Sequence, residues 1–175
     1  EVTIRPPNAF GPGLRSLTGT VRVDHSSAPL WVLQQLDEAG VSHAKGDDPC
    51  VLPKACKTKA EIAATQEAHL RDAAAMCEFL TWYEDQAPGT ITEIDVATRL
   101  EDCRRATGQL LDISFDTIAG SGPNGALAHY RVNRESNRTL QAGDLLVLDS
   151  GGQYLDGTTD ITRTLPMGDV GQDER

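Results

Sequence analysis

Two aspartates in the C-terminal part of the chain have the residue type and spacing of metal ligands. Asp149 follows the apolar run 145–148, and Asp160 comes later, beyond the turn signal Asp156-Gly157. The run is typical of a strand buried on both faces, so a carboxylate at its end needs a partner to offset its desolvation, and a metal cation is the strongest one available. Oxygen donors suit Mn, Mg or Ca better than ions that prefer thiolates. The pair therefore predicts half of a two-metal site, provided that a hairpin brings both side chains together.

The register of this hairpin decides whether the two carboxylates can share an ion. A two-residue turn at Asp156-Gly157 would pair Asp149 with Thr164. Asp160 would then lie roughly 13 Å from Asp149 along the strand, too far for a shared ion. A register centred near Tyr154-Leu155 would bring the carboxylates together, and it requires a wider or bulged turn. An ordinary surface hairpin with two solvated aspartates is the alternative, and spacing alone favours neither.

His129 is a third candidate, and it lies beside Tyr130 in a stretch that is typical of a strand. A neutral imidazole near pH 7 can donate or accept a proton with little penalty, which suits catalysis. A single histidine in a strand more often has a structural role, and the residues alone favour that interpretation.

A glycine-rich segment has the spacing of a dinucleotide-binding loop. Gly120-Ser-Gly-Pro-Asn-Gly125 satisfies G-x-G-x-x-G, and Asp144 follows where a ribose-binding acid would stand. That chemistry requires a helix N-terminus aimed at the pyrophosphate. Residues 126–140 lack apolar residues at helical period, and Pro123-Asn124-Gly125 predicts a turn. The sequence therefore disfavours dinucleotide binding.

Two capped helices must position these residues. Thr58-Lys-Ala-Glu61 is a capping box that starts a long helix to about Asp85, and Thr92 with Asp95 starts a second helix that ends by Gly108. The residues expected to face inward are Ile62, Leu70, Ala73, Cys77 and Leu80, then Ile94, Ala97, Leu100 and Cys103. Helices followed only by strands predict an α+β fold, in which the helices cover one face of a mostly antiparallel sheet.

The N-terminal part of the chain has a different pattern, typical of the tail of an α/β domain, and the boundary is expected near Lys54. Its predicted elements are a loop over 6–13, a strand over 20–23, a helix from Ser26 or Ser27 to about Glu38 stopped by Gly40, and a strand and linker over 41–56.

Composition disfavours several classes of function. The 175 residues carry a formal charge of −10, which disfavours nonspecific binding to nucleic acid or anionic membranes. No window reaches the roughly 18 apolar residues of a membrane span, and no signal-peptide pattern is present. The four cysteines lack the close pairing of a zinc site, so we interpret them as reduced thiols, two of them in helices. These features predict a cytoplasmic protein, and the ends at Glu1 and Arg175 are interpreted as cuts through a longer polypeptide.

A series of motifs leads up to the hairpin and includes it: His69-Leu-Arg-Asp-Ala73, Cys77-Glu-Phe79, the segment 114–125, Ala128-His-Tyr130, Asn137-Arg-Thr-Leu140 and Asp156-Gly-Thr-Thr-Asp-Ile-Thr-Arg-Thr164. In this order they resemble the pita-bread metallopeptidases, the family that includes methionine aminopeptidase, prolidase and Xaa-Pro aminopeptidase. The hairpin is most similar to the Xaa-Pro aminopeptidases, and the helical motifs resemble their large, three-domain form. The resemblance implies that residues 54–175 form the N-terminal half of a pita-bread domain, preceded in 1–53 by the C-terminal part of an α/β domain.

The same resemblance implies roles for the candidate residues. Asp149 and Asp160 would hold two divalent ions, with Mn preferred and Zn or Co as alternatives. His129 would contact the substrate and assist proton transfer, and Thr162 or Thr164 would hold the ligands in place. The remaining histidines match no position of the site and are interpreted as surface or packing residues: His25, His43 and His69.

The implied reaction is hydrolysis of peptides with proline in the second position by a metal-activated water, in a homodimeric protein. The family completes its site with a later histidine and two glutamates whose motifs this chain does not contain, so we expect the chain alone to be inactive. Two alternatives remain: a noncatalytic peptide- or protein-binding module on the same scaffold, and a metal-independent hydrolase of the creatinase type, which the two aspartates disfavour.

Overall fold

The computed structural model describes residues 3–172, which fold as two compact units that divide between Lys57 and Thr58. The chain ends, where we expect cuts through a longer polypeptide, lie outside the described residues. The described part of the first unit contains three α-helices and a parallel pair of strands: α1 (Phe10–Arg15), β1 (Val21–Val23), α2 (Leu30–Glu38), β2 (His43–Lys45) and α3 (Val51–Ala55). Its core is formed by Val23, Leu36 and Val41.

The predicted strands of the first unit are confirmed, but the predicted loop over 6–13 is wrong. Pro7–Ala9 forms a 3-10 turn, and α1 follows it directly. Pro7 and Pro12 lie in the first turns of these short helices, where a backbone N–H would have no partner within the helix, so proline costs little there.

Other boundaries of the first unit differ from prediction as well. Helix α2 begins after Pro29, because Ser26 donates its hydroxyl and its N–H to Asp24 instead of capping the helix. Its end is confirmed, with Gly40 at a φ of 68° just beyond it. Helix α3 occupies part of the predicted linker. The domain boundary near Lys54 remains a prediction.

The second unit carries the candidate residues. Its helices and strands are α4 (Lys59–Glu84), α5 (Glu93–Ala106), β3 (Asp112–Ile113), β4 (Ile118–Ser121), β5 (Leu145–Ser150), β6 (Gly152–Gln153) and β7 (Ile161–Pro166). Strand β5 lies between β4 and β7, antiparallel to both, and β3 pairs with β6 in a second antiparallel ladder. Helices α4 and α5 pack together against one face of the sheet. The predicted α+β arrangement is confirmed.

The predicted capping box at Thr58 is present, and Thr92 with Asp95 forms a second one at the predicted start of α5. The Thr58 and Thr92 hydroxyls accept from the N–H groups of Glu61 and Asp95, and those carboxylates accept from the threonine N–H groups in return. Both α4 and α5 therefore begin where the sequence predicts.

The predicted inward face of α4 is wrong except for Leu80, which is half-buried and packs against the core. The residues that α4 buries are Ala68, Asp72, Ala75, Met76, Phe79 and Tyr83. Ile62 and Leu70 are exposed, and so are Ala73 and Cys77. Asp72 lies in the middle of the buried face. Because a charged residue normally indicates an exposed position, the hydrophobic pattern of the sequence predicts that this face is exposed to solvent. In α5, Leu100 and Cys103 are buried as predicted, whereas Ile94 and Ala97 are half-buried.

Strand β5 is buried on one face only, which corrects the prediction of two buried faces. Leu146 and Leu148 lie under the helices, while Leu145, Val147 and Asp149 point to the other face and are half-buried. Asp149 thus lies on the face of the sheet that α4 and α5 leave uncovered.

Two sequence-based expectations concern the described residues as a whole. All four cysteines are free thiols, and Cys77 and Cys103 lie in helices as predicted. Within residues 3–172, no helix is long and apolar enough to cross a membrane.

Candidate functional site

The hairpin between β5 and β7 follows neither of the two predicted registers. Asp149 pairs with Thr162, and the turn consists of Leu155 and Asp156, closed by a 2.9 Å bond from the Tyr154 N–H to the carbonyl of residue 157. Asp160, just before β7, is therefore the diagonal neighbour of Asp149. Diagonal Cβ atoms on one face of a sheet are separated by about 7–8 Å or less, within reach of two carboxylates that point toward each other.

The electrostatics of Asp160 show that the two carboxylates interact. Partial loss of solvent raises the pKa of Asp160, and the negative charge of Asp149 raises it further. His69 on α4 opposes this shift, so its ring lies near enough to affect Asp160. Two carboxylates that repel each other in this way form a donor set that a divalent cation would stabilise. The described residues thus fit part of a metal centre.

The two predicted supporting threonines differ. Thr162 donates its hydroxyl to Asp149 Oδ1 at 2.6 Å, which leaves Oδ2 available for a ligand. Thr164 lies on β7 with Thr162 and pairs with Val147 of β5. Among the described residues, no hydrogen bond joins Thr164 to either aspartate. The structure therefore brings Thr162, but not Thr164, to the pair.

A cleft of about 290 Å³ contains the two aspartates and His129, together with Phe115, Asp116, Ile118 and Arg131. His129 is exposed and lies in a turn at a φ of 57°, so its predicted place in a strand is wrong. Arg131 forms an ion pair with Asp116 at the edge of this cleft. Within residues 3–172, no group of three His, Cys, Asp or Glu side chains is arranged to hold a metal ion.

The turn with His129 is tied to α5 by the buried carboxylate of Glu93. Glu93 accepts hydrogen bonds from the Ser121 N–H, the Asn124 amide, the Tyr130 hydroxyl and the Arg138 N–H, at 2.7–3.1 Å. These bonds connect the end of β4 with the residue next to His129. Glu93 was missed because a charged residue in the first turn of a helix normally indicates a solvated, dipole-stabilising position.

The glycine-rich segment has a structural explanation. Gly122–Ala126 forms a 3-10 helix directly after β4. A Cβ at Gly120 would lie 2.8 Å from the Asn124 carbonyl oxygen, so this close turn requires glycine. It presents Asn124 to Glu93 and contains no α-helix N-terminus for a pyrophosphate.

A second network missed by the sequence analysis anchors the tip of the hairpin. Arg71 on α4 binds Asp156 through two hydrogen bonds of 2.9 and 3.1 Å, and its guanidinium lies 5.5 Å from the centre of the Tyr154 ring. This ion pair holds down the pKa of Asp156. Arg71 lies within the motif His69-Leu-Arg-Asp-Ala73, but the motif does not indicate which distant residue Arg71 binds.

Comparison with known proteins gives a consistent result. The model of metallopeptidase family M24 matches residues 63–175. Xaa-Pro aminopeptidase ApepP of Drosophila melanogaster is 43% identical over 122 residues, which are 69% of this chain and 20% of that protein. This chain therefore spans about a fifth of the length of that relative.

Solved structures show the same fold. X-Pro aminopeptidase from Thermotoga maritima superposes with a TM-score of 0.70 at 25% identity, covering 89% of this chain and 42% of that one. X-prolyl aminopeptidase from Caenorhabditis elegans, described as a cytosolic enzyme with a di-nuclear active site, gives a TM-score of 0.68 at 24% identity, covering 88% of this chain and 33% of that one. The predicted fold, part of a pita-bread domain, is confirmed.

Proposed function

This chain belongs to metallopeptidase family M24, and we propose that it is the first half of the catalytic domain of a metal-dependent aminopeptidase. Its substrates would be peptides with proline in the second position, cleaved after the first residue. The observation that carries the proposal is the convergence of Asp149, Asp160 and His129 on one cleft. Residues 1–53 would belong to a preceding α/β domain.

Asp149 and Asp160 are proposed as ligands of two divalent ions, which would supply a water of lowered pKa and polarise the scissile carbonyl. Mn is our first candidate, with Zn or Co as alternatives, since carboxylate oxygens suit hard cations. Support comes from the interacting pair of carboxylates, from the Thr162 hydroxyl on Asp149, and from a fold neighbour described as having a di-nuclear active site.

His129 is proposed to contact the substrate and to donate or accept a proton at its carbonyl oxygen or leaving nitrogen. Its ring is exposed to the same cleft as the aspartates, and the turn that carries it is held by the bond from Tyr130 to Glu93. An imidazole can perform either half of the proton transfer near neutral pH.

The remaining ligands are proposed to lie in the longer protein, as a later histidine and two glutamates. Two carboxylates cannot by themselves hold a dinuclear centre against water, and the curated relative is much longer than this chain. We therefore propose that the 175-residue chain alone is inactive, and that the complete enzyme is a cytoplasmic homodimer.

The proposal is tested with the full-length protein, reconstituted with Mn and assayed on an Xaa-Pro tripeptide and on the same peptide with alanine in place of proline. We expect release of the first residue from the proline peptide only, and none from either peptide with the 175-residue chain. Loss of both the activity and the bound Mn in Asp149→Asn or Asp160→Asn would support the metal roles. If the full-length protein binds the peptide in the absence of Mn and does not cleave it, the noncatalytic alternative would be favoured instead.

A further inference from the structure

A fully buried ion pair lies between the two helices and the hairpin. Asp72 on α4 and Arg104 on α5 have no exposed side-chain surface, and two hydrogen bonds of 2.7 and 3.1 Å join them. Burial raises the pKa of Asp72, but hydrogen bonds from Arg104 and Tyr154 outweigh it, so the pKa ends below its usual value. Asp72 is therefore a buried, charged acceptor.

Two further donors to Asp72 come from the hairpin. The Tyr154 hydroxyl donates to one carboxylate oxygen at 2.6 Å, and the Thr159 hydroxyl donates to the other at 2.9 Å. Buried ion pairs contribute little net stability compared with apolar residues of similar volume. Apolar residues could hold the helices together, but they could not orient the hydroxyl of a hairpin residue.

Thr159 directly precedes Asp160, and its hydroxyl, N–H and carbonyl groups are all hydrogen-bonded. Its hydroxyl accepts from the Gly152 N–H at 2.9 Å, its own N–H donates to the Gly152 carbonyl, and its carbonyl accepts from the Ser114 hydroxyl at 3.1 Å. A Cβ on Gly151 would lie 1.9 Å from the Thr159 carbonyl oxygen, so the two backbones are in contact. The position of Thr159 therefore determines where Asp160 leaves the hairpin.

We infer that Asp72, acting through the Thr159 hydroxyl, is the positioning residue that sets the place of Asp160 relative to Asp149. The inference rests on the proposed function, because the distance between the two aspartates matters only if they share metal ions. Asp149 is independently placed by β5, which is paired on both sides. The helix pair thus determines one half of the carboxylate spacing and the sheet determines the other.

The test is a calorimetric titration of the metal-free full-length protein with Mn²⁺. Thr159→Val keeps the shape of the side chain and removes the hydroxyl. It should weaken Mn²⁺ binding by about 10–100-fold, as loss of outer hydrogen bonds does at metal sites. Thr159→Ser restores the hydroxyl and should restore the affinity.

Thr117→Val is the matched control. Thr117 is 5% exposed and its hydroxyl donates to Glu101 at 3.3 Å. Thr117→Val therefore removes a buried, hydrogen-bonded hydroxyl from the same unit, as Thr159→Val does. Its Mn²⁺ affinity should equal that of the wild type. The inference is overturned if Thr159→Val binds Mn²⁺ as the wild type does, or if Thr117→Val weakens binding equally. Failure of the wild type to bind Mn²⁺, Zn²⁺ or Co²⁺ would instead overturn the proposed function, and the inference with it.

Discussion

At the scale of single residues, the candidate site is a pair of aspartates whose separation is set by the register of the β5–β7 hairpin. Asp149 and Thr162 face each other across the hairpin, and Asp160 lies two residues before Thr162 on the same strand side. The Thr162 hydroxyl occupies one oxygen of Asp149. The carboxylate is therefore oriented before any ligand arrives, which reduces the cost of binding.

Thr162→Val in the full-length protein should reduce Mn²⁺ affinity by about tenfold, because Asp149 loses the bond that orients it. Thr162→Ser should bind as the wild type does, and Thr164→Val is the comparison on the same exposed face. Titration with Mn²⁺ checks this. An equal loss in Thr164→Val would show that the hydrogen bond to Asp149 is not the cause.

At the scale of elements, each helix contributes a buried carboxylate that organises a loop of the site. Asp72 on α4 holds the hairpin through Thr159, and Glu93 on α5 holds the turn that carries His129. Both carboxylates have side chains surrounded by hydrogen-bond donors, as buried charges require. The helices therefore position the loops as well as cover the sheet.

Glu93→Gln should affect the turn that carries His129 and leave the β5–β7 hairpin unaffected. The amide cannot accept all the bonds that the carboxylate accepts, so the free energy of unfolding should fall by about 2 kcal/mol. The His129 turn should shift, lowering kcat/KM up to about 100-fold, while Mn²⁺ affinity stays unchanged because none of the hydrogen bonds to Glu93 involves Asp149 or Asp160. Steady-state kinetics and Mn²⁺ titration on the same preparations check this. Weaker Mn²⁺ binding would contradict it.

At the scale of the whole molecule, the pair of Asp72 and Arg104 connects α4, α5 and the hairpin. The pKa of Asp72 is lower in the folded protein than its ordinary value of 3.8. A group of this kind contributes stability that is present above its unfolded pKa and is lost as the pH falls through its folded pKa. Acid should therefore weaken the second unit below about pH 4.

Asp72→Asn should unfold more easily at pH 7, by about 3–5 kcal/mol, because Arg104 is left buried without its partner. Its stability should also depend less on pH below about 4 than that of the wild type. Urea unfolding of the 175-residue chain between pH 3 and pH 7 checks this, with the fluorescence of Trp82 as the signal in a Trp31→Phe background. Equal slopes of stability against pH in both proteins would exclude Asp72 as the titrating group.

The predictable part of this protein is local. The capping boxes of Thr58 and Thr92, the strand ending near Asp149 and the glycine after α2 each depend on a few consecutive residues, whose chemistry satisfies neighbouring backbone groups. The fold class follows from the order of such elements. The resemblance to the family predicts site roles for Asp149, Asp160 and His129, and all three line one cleft.

Features that depend on residues far apart in the sequence were decided by the tertiary structure. The inner face of α4 centres on Asp72, and only Arg104, Tyr154 and Thr159 make burial of that charge possible. The hairpin register likewise departs from the Asp156-Gly157 signal, where Arg71 binds Asp156 across the packed interface. Local propensity differs little between neighbouring registers, whereas unpaired buried charges cost several kcal/mol. The sequence by itself therefore supplied the candidate metal ligands, and tertiary contacts decided how far apart they lie.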